Sequence, residues 1–406
     1  MTLAFVISLA LFACDTTTVT TVTTADTENF YDIYTNDDLL AIDMNKSYTL
    51  QADLDLAGIE WMPLGTYAAP YAGIFDGNGH SIQNLTITEK NDFAGLFACL
   101  SGEVFDLTLT DVSIDYQTDY QTYVGGLAGY ISGNIENVEV TGSISVLNSG
   151  SDTYAGMLAG MLATKISESV YASEFVHQNI SDVHVSGLID INTNNILYAG
   201  GLTGYVFNVQ IDDCYSSVDM TLVNENYRLY AGGLIGYQYG GILYDYADDV
   251  DEIEIPISGS VASGSITAAA NGTTGYVGGF VGFAQSGVYN DNLAFTDISA
   301  TGEDLALSTF AGGTWLASME NLLGAGSITV EASQTMTLNI STLSGSVIDE
   351  VTFTDCYYYL STSETIASAQ GMPVSVADLE NPSWFQGWLD WNENVCSFSD
   401  LAAMYS

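Results

Sequence analysis

The sequence predicts an all-β chain, a right-handed parallel β-helix (β-solenoid) closed by short capping segments. Three observations carry that expectation. Thr, Val, Ile and Tyr recur along the whole length, which is strand chemistry. A Gly-rich, aromatic-flanked element returns at a spacing of about thirty residues, stretched to about forty-five where loops are inserted. After each copy comes an apolar-x-(Asn or Asp)-apolar-x-apolar element.

The Gly-rich element reads aromatic-small-Gly-Gly-apolar-small-Gly-aromatic. It occurs as Tyr123-Val124-Gly125-Gly126-Leu127-Ala128-Gly129-Tyr130 and as Tyr198-Ala199-Gly200-Gly201-Leu202-Thr203-Gly204-Tyr205. It recurs over 230–237 and 276–283, with degenerate copies beginning at Phe93, Tyr154 and Phe310. Paired glycines let a backbone bend at φ values that other residues avoid.

The second element is clear at Ile82-Gln83-Asn84-Leu85, Ile135-Glu136-Asn137-Val138, Ile180-Ser181-Asp182-Val183 and Met319-Glu320-Asn321-Leu322. Looser copies centre on Asp106, Asp213, Asn292 and, with Glu, on Glu350. Alternation puts Val138 and Val140 on one face and Glu139 on the other. One such strand cannot bury its apolar face alone. Stacking it on the same strand of the next coil, about 4.8 Å away, makes a parallel sheet over a continuous core. Eight or nine coils give a rod of roughly 40 Å. Asn84, Asp106, Asn137, Asp182, Asp213, Asn292 and Asn321 are thereby expected at one corner of successive coils. There their side chains can bond turn backbone that is otherwise unpaired.

These motifs resemble the GLUG-repeat family of bacterial surface proteins, whose Gly-Leu-x-Gly core matches Gly126-Leu127-Ala128-Gly129, Gly201-Leu202-Thr203-Gly204 and Gly233-Leu234-Ile235-Gly236. The entry segment Gly73-Ile74-Phe75-Asp76-Gly77-Asn78-Gly79 and the exit segment Trp388-Leu389-Asp390-Trp391 fit the same family. The resemblance covers about residues 29 to 400. It implies a parallel β-helix and a cell-surface setting. It does not imply one activity, since such repeats occur in adhesin-like proteins and as non-catalytic parts of secreted proteases.

Five segments are expected. Residues 1–14 read as a lipoprotein signal: an apolar run from Leu3 to Phe12, then Leu11-Phe12-Ala13-Cys14, which resembles a bacterial lipobox with Cys14 as the lipidated residue. No Lys or Arg precedes the run, unlike a usual n-region. The Thr-rich residues 15–28 read as a tether. Residues 29–49 form an N-terminal cap with a short N-capped helix over 36–45; 50–365 form the solenoid; and 366–406 form a C-terminal cap whose Trp384, Phe385, Trp388 and Trp391 cover the last coil. Caps are required because an open solenoid end is an exposed sheet edge. Cys214 and Cys356 are expected as free thiols packed like small hydrophobes.

Charge narrows the function. Lys and Arg total 4 against 50 Asp and Glu, a formal net charge of −46. Such a surface repels nucleic acid and anionic lipid and favours cations. Apolar content of 47% argues against disorder. The acidic run Asp248, Asp249, Asp251, Glu252 and Glu254 offers hard oxygen ligands suited to calcium, without the spacing or central Gly of an EF-hand. No other cofactor is expected.

Catalytic patterns are sparse. His80, His177 and His184 form no zinc-protease motif, and Arg228 is the only Arg. Asp212-Asp213 is a candidate carboxylate pair for glycoside hydrolysis, yet Asp213 falls on the corner position. The expected function is therefore non-catalytic: a lipid-anchored surface adhesin or scaffold binding an extracellular protein or glycan. Its recognition would use sheet faces and the loops near 145–153, 164–180 and 240–258. The alternatives are a glycan-processing β-helix enzyme and an architectural surface-layer component.

Overall fold

The structure is a computed structural model that describes residues 26–164, 178–240, 242–243, 253–331, 337–381 and 384. Its strands lie in three parallel sheets of twenty, nine and seven strands, with one two-stranded antiparallel hairpin beside them. Between Phe93 and Trp315 each coil visits the sheets in the same order. Val209–Asp212 runs in the first sheet, turns at Asp213, and continues there as Tyr215–Asn224. Leu229–Gly232 then joins the second sheet and Ile235–Tyr239 the third. This is the parallel β-helix that the repeats predict.

Register follows the sequence repeats. Tyr123 pairs with Phe93 and Tyr154, Tyr198 with Tyr154 and Tyr230, and Tyr230 with Tyr276. The longest strands, Glu103–Thr118, Ile135–Asn148 and Gln178–Thr193, pair almost throughout. Inward residues such as Val138, Val140, Ile144 and Val146 are buried and form one continuous core. The Leu of each Gly-Gly-Leu step lies in that core, as Leu127, Leu202 and Leu234 do.

The coil after Tyr276 departs from the aromatic pattern. Phe310 does not begin another aromatic-flanked copy. It stacks on Phe280 inside the core, with centroids 4.8 Å apart, and so takes the place of the motif's Leu. Ala306 is the residue that pairs with Tyr276. The turn before it is also short, since only Glu303 separates the strand ending at Gly302 from the one beginning at Asp304.

The ends differ from the expected caps in extent. Parallel pairing already joins Asp26–Ile33 to Lys46–Leu50, and it continues to Met372–Pro373. Neither 49/50 nor 365/366 is therefore a structural break. Helix α1 covers only Asn36–Leu40, and its cap is Thr35, which exchanges bonds with Asp38 in a capping box. Its Leu39 is buried in the core. The C-terminal helix α2 (Val376–Leu379) is likewise capped by Ser375 and Asp378.

Leu379 joins a second apolar cluster with Val261, Leu293, Phe295, Leu323 and Ala325. Trp384 lies edge-on to Tyr357, 5.9 Å between centroids. The other members of that cluster and Tyr357 all belong to strands of the first sheet. Phe385, Trp388 and Trp391 lie outside the described residues, as do Cys14 and the Thr-rich segment up to residue 25.

Candidate functional site

The corner column is the first candidate. Asp106, Asn137, Asp182, Asp213 and Asn321 all adopt left-handed backbone, with φ of 54°, 51°, 52°, 53° and 51°. Asn and Asp tolerate this region because their short polar side chains bond locally. The same corner holds Gly259, Asp291 and Asp355, at φ 59°, 59° and 50°, because strands ending at Asp212, Ser258, Asn290, Glu320 and Thr354 lie in register.

Two expected members depart from the column. Asn84 stands at the next corner, beside Asp111, since Gln83 pairs with Thr110; its amide donates to Asp55 at 2.8 Å. Asn292 is fully buried one residue past the corner. It donates to the carbonyl of Ile257 at 2.7 Å and accepts from Ser260 N at 3.0 Å. The true corner residue is Asp291. Glu350 also falls outside the column, whose residue in that coil is Asp355.

Beside the column lies an open groove of about 490 Å³, lined by Asp106, Thr108, Glu136, Asn137, Glu139, Asp182 and His184 among others. Glu139 is paired with both Thr108 and His184 in neighbouring coils. His184 faces outward as expected, with its ring edge-on to Tyr215 at 5.8 Å. Burial pushes the Asp182 carboxyl up, Asp213 pushes it further, and His184 opposes both. Among the described residues, no group of three or more His, Cys, Asp or Glu is arranged to hold a metal ion. Asp248, Asp249, Asp251 and Glu252 lie outside the described residues, and Glu254 is exposed.

The aromatic residues that flank the Gly-Leu-x-Gly core form columns. Phe93, Tyr123, Tyr154, Tyr198, Tyr230 and Tyr276 stack ring on ring, 4.5–5.5 Å apart. Tyr205, Tyr237 and Phe283 form a second stack, at 5.3 and 5.4 Å, edge-on to the first. The glycines between make this possible. A Cβ on Gly204 would lie 2.6 Å from Ala155 N and from Tyr198 O. Burial pushes the Tyr154, Tyr198 and Tyr237 phenols up, so they remain neutral. Neighbouring rings cover their faces. Periodicity reveals the columns, but sequence reading did not separate them from the core.

Two insertions interrupt the period, and both leave at one corner. One lies between Thr164 and Gln178, the other above the hairpin in which Ile242 and Leu243 pair with Glu254 and Ile253. Both follow strands of the third sheet that share register, through Ala163, Phe207 and Tyr239. Residues 145–153 are not an insertion. They hold a tight turn between Asn148 and Thr153, fixed by the buried Asn148 side chain.

Cys99, Cys214 and Cys356 are free and buried. Burial pushes Cys99 up to about 12 and Cys356 up to about 11, and it raises Cys214 as well. His80 sits in a turn, 3.2 Å from Asp53; the Ser81 amide and then His80 hold Asp53 below its usual value.

Stacked coils, left-handed corners and the Gly-cornered aromatic element define a repeat protein of the parallel β-solenoid class. The GLUG motif model matches residues 120–145, so the chain carries a GLUG motif there. Over 138 residues, 29% of this chain, it is 33% identical to halomucin of Haloquadratum walsbyi. The match spans about 2% of the length of halomucin. Among solved structures it is similar to the "putative immunoglobulin A1 protease" of Bacteroides ovatus, at 16% identity and a TM-score of 0.50, over 88% of this chain and 87% of that one. That likeness concerns the fold alone.

Proposed function

We propose that this chain is a cell-surface repeat protein, anchored through lipidated Cys14, that acts as a non-catalytic adhesin or scaffold. The observation that carries the reading is the shared corner of the two insertions. A stiff frame keeps its register across both, with Tyr154 paired to Tyr198 and Tyr230 to Tyr276 despite the extra residues. Such a frame suits the display of variable loops to an extracellular protein or glycan. The GLUG motif and the stretch similar to halomucin support a surface setting. Calcium held by Asp248, Asp249, Asp251, Glu252 and Glu254 would belong to the second loop. The test is a glycan and matrix-protein array probed with calcium and with chelator. Binding lost when 165–177 or 244–252 is replaced by a short turn supports the reading. Silence under every condition favours an architectural role.

A second reading rests on the groove. Asp182 lines the same groove as Asp106, Glu136 and Glu139, and its raised carboxyl suits a proton donor in glycan cleavage. Product analysis on a polysaccharide panel tests it; cleavage abolished in Asp182→Asn would replace the first reading.

A further inference from the structure

We propose that Arg228 and Tyr227 form a subsite for a carboxylate-bearing sugar, a uronate unit of an extracellular polysaccharide. The proposal rests on the ligand-display reading and gives it one ligand class at one turn. That turn joins Tyr215–Asn224 to Leu229–Gly232. The buried Asn224 locks it: its amide donates to the carbonyls of Asn195 and Arg228, and its oxygen accepts from Tyr227 N at 3.0 Å. Gly272 of the next coil lies against it so closely that a Cβ there would sit 2.2 Å from Tyr227 O. Both side chains nonetheless face solvent. Tyr227 is 52% exposed, and Arg228 is exposed too.

The guanidinium is the unusual feature. On a chain with 50 acids, no carboxylate among the described residues lies within 4.0 Å of it. Lys90, by contrast, is 3.5 Å from Asp119. Lys46 sits over the Tyr31 ring, with a compact ammonium rather than a fork. Register explains why Arg228 lacks an acid. The neighbouring coils place Ile196 and Thr274 at its position, since Leu229 pairs with Leu197 and Gly275. Asp152 and Asp304 occupy it only two coils away, about 10 Å on either side. Each is already engaged, Asp152 by Ile196 N and Asp304 by Thr274 Oγ1.

What surrounds the fork suits a sugar. Its Nη1 donates to the Tyr230 hydroxyl at 3.4 Å, and the Tyr230 ring stacks between those of Tyr198 and Tyr276. Such neutral hydroxyls both donate and accept, as sugar hydroxyls require. The planar guanidinium matches a carboxylate in two-point geometry. The exposed Tyr227 ring adds an apolar face with a polar tip. The net charge of −46 repels any anion at long range. Salt shortens that repulsion from about 30 Å at 0.01 M to about 8 Å at 0.15 M, while contact at the fork persists. Binding should therefore strengthen across this range.

The experiment is calorimetry of the full chain with trigalacturonate, its methyl ester, and an Asp-rich peptide of equal charge. Trigalacturonate is expected to bind, with the ester and Arg228→Gln each weakening binding about tenfold or more. Arg228→Lys and Tyr227→Ala should fall between. Equal binding by Arg228→Gln at an unchanged melting temperature overturns the proposal. So does preference for the peptide, which would assign the fork to protein carboxylates, and so does no binding by any probe. An array ligand held equally by Arg228→Gln overturns the subsite and leaves the display reading intact. An empty array alongside inert probes removes both.

Discussion

Asn137 donates its amide to the Asp106 carboxylate at 2.5 Å, across two coils that share one left-handed corner. The Asn thereby separates Asp106 from Asp182, which follows in the same column. Asn137→Asp keeps the backbone preference and removes the donor. We expect it to cost about 1 kcal/mol at neutral pH, the size of one lost charge-assisted bond at an exposed position. The two facing carboxylates would hold raised folded-state values. The deficit is therefore present above them and closes as pH falls through them. Urea denaturation at pH 7 and pH 3 measures both. An undiminished deficit at pH 3 would locate the effect elsewhere.

Asp182 supplies the opposite case. Burial, then Asp213, raises its carboxyl in the folded state. The folded protein thus holds this proton more tightly than the unfolded chain, so the charged form opposes folding once pH rises through the raised value. Asp182→Asn should stabilise at pH 7 by about 0.5 kcal/mol or less, because the group is exposed and screened. The gain should vanish at acid pH and shrink in concentrated salt. A gain that persists below pH 3 contradicts the linkage.

Legibility in the sequence tracked the strength of the physical constraint. The Gly-Leu-x-Gly copies were readable because two constraints coincide there: an apolar residue that must face the core and glycines that no side chain can replace. The corner was readable at Asn137 and Asp182, where a single Asn or Asp stands between apolar residues. It was misread at Asn292, which Leu293 and Phe295 follow as the pattern asks, whereas register puts Asp291 at the corner. Asn84 was misassigned because two corners of one coil ask for the same chemistry. The buried turn locks Asn148 and Asn224 were missed, since a polar residue at a strand end carries no periodic signal. Neither the groove nor the isolation of Arg228 could be read, because both depend on which coils are neighbours.

Gly204 tests the close approach of the second and third sheets. A Cβ there would meet backbone of the preceding coil, at 2.6 Å from Ala155 N and 2.9 Å from Gly160 O. Backbone that is paired on both sides cannot yield cheaply. Gly204→Ala should cost on the order of 3 kcal/mol or abolish folding. Gly58→Ala is the control: nothing lies within 4 Å of its Cβ, and only its φ of 82° is unfavourable, so its cost should be about 1 kcal/mol. Comparable melting temperatures for the two variants would mean that the corner relaxes.

Tyr198 separates the worth of the aromatic ring from that of its hydroxyl. The ring lies between Tyr154 at 4.7 Å and Tyr230 at 5.2 Å, with Tyr205 and Tyr237 edge-on. Tyr198→Phe keeps every ring contact and should change stability by less than about 0.5 kcal/mol, as minor substitutions do. Tyr198→Ala opens a gap in the middle of the column and should cost about 3 kcal/mol, near the lower end for deleting a buried aromatic. Tyr276 stands at the column's end, where the next coil offers only Ala306. It has one stacked neighbour, Tyr230, so Tyr276→Ala should cost about half as much by the same reasoning. Equal losses at Tyr198 and Tyr276 would show that burial against the glycine corner, rather than stacking between coils, holds the rings in place.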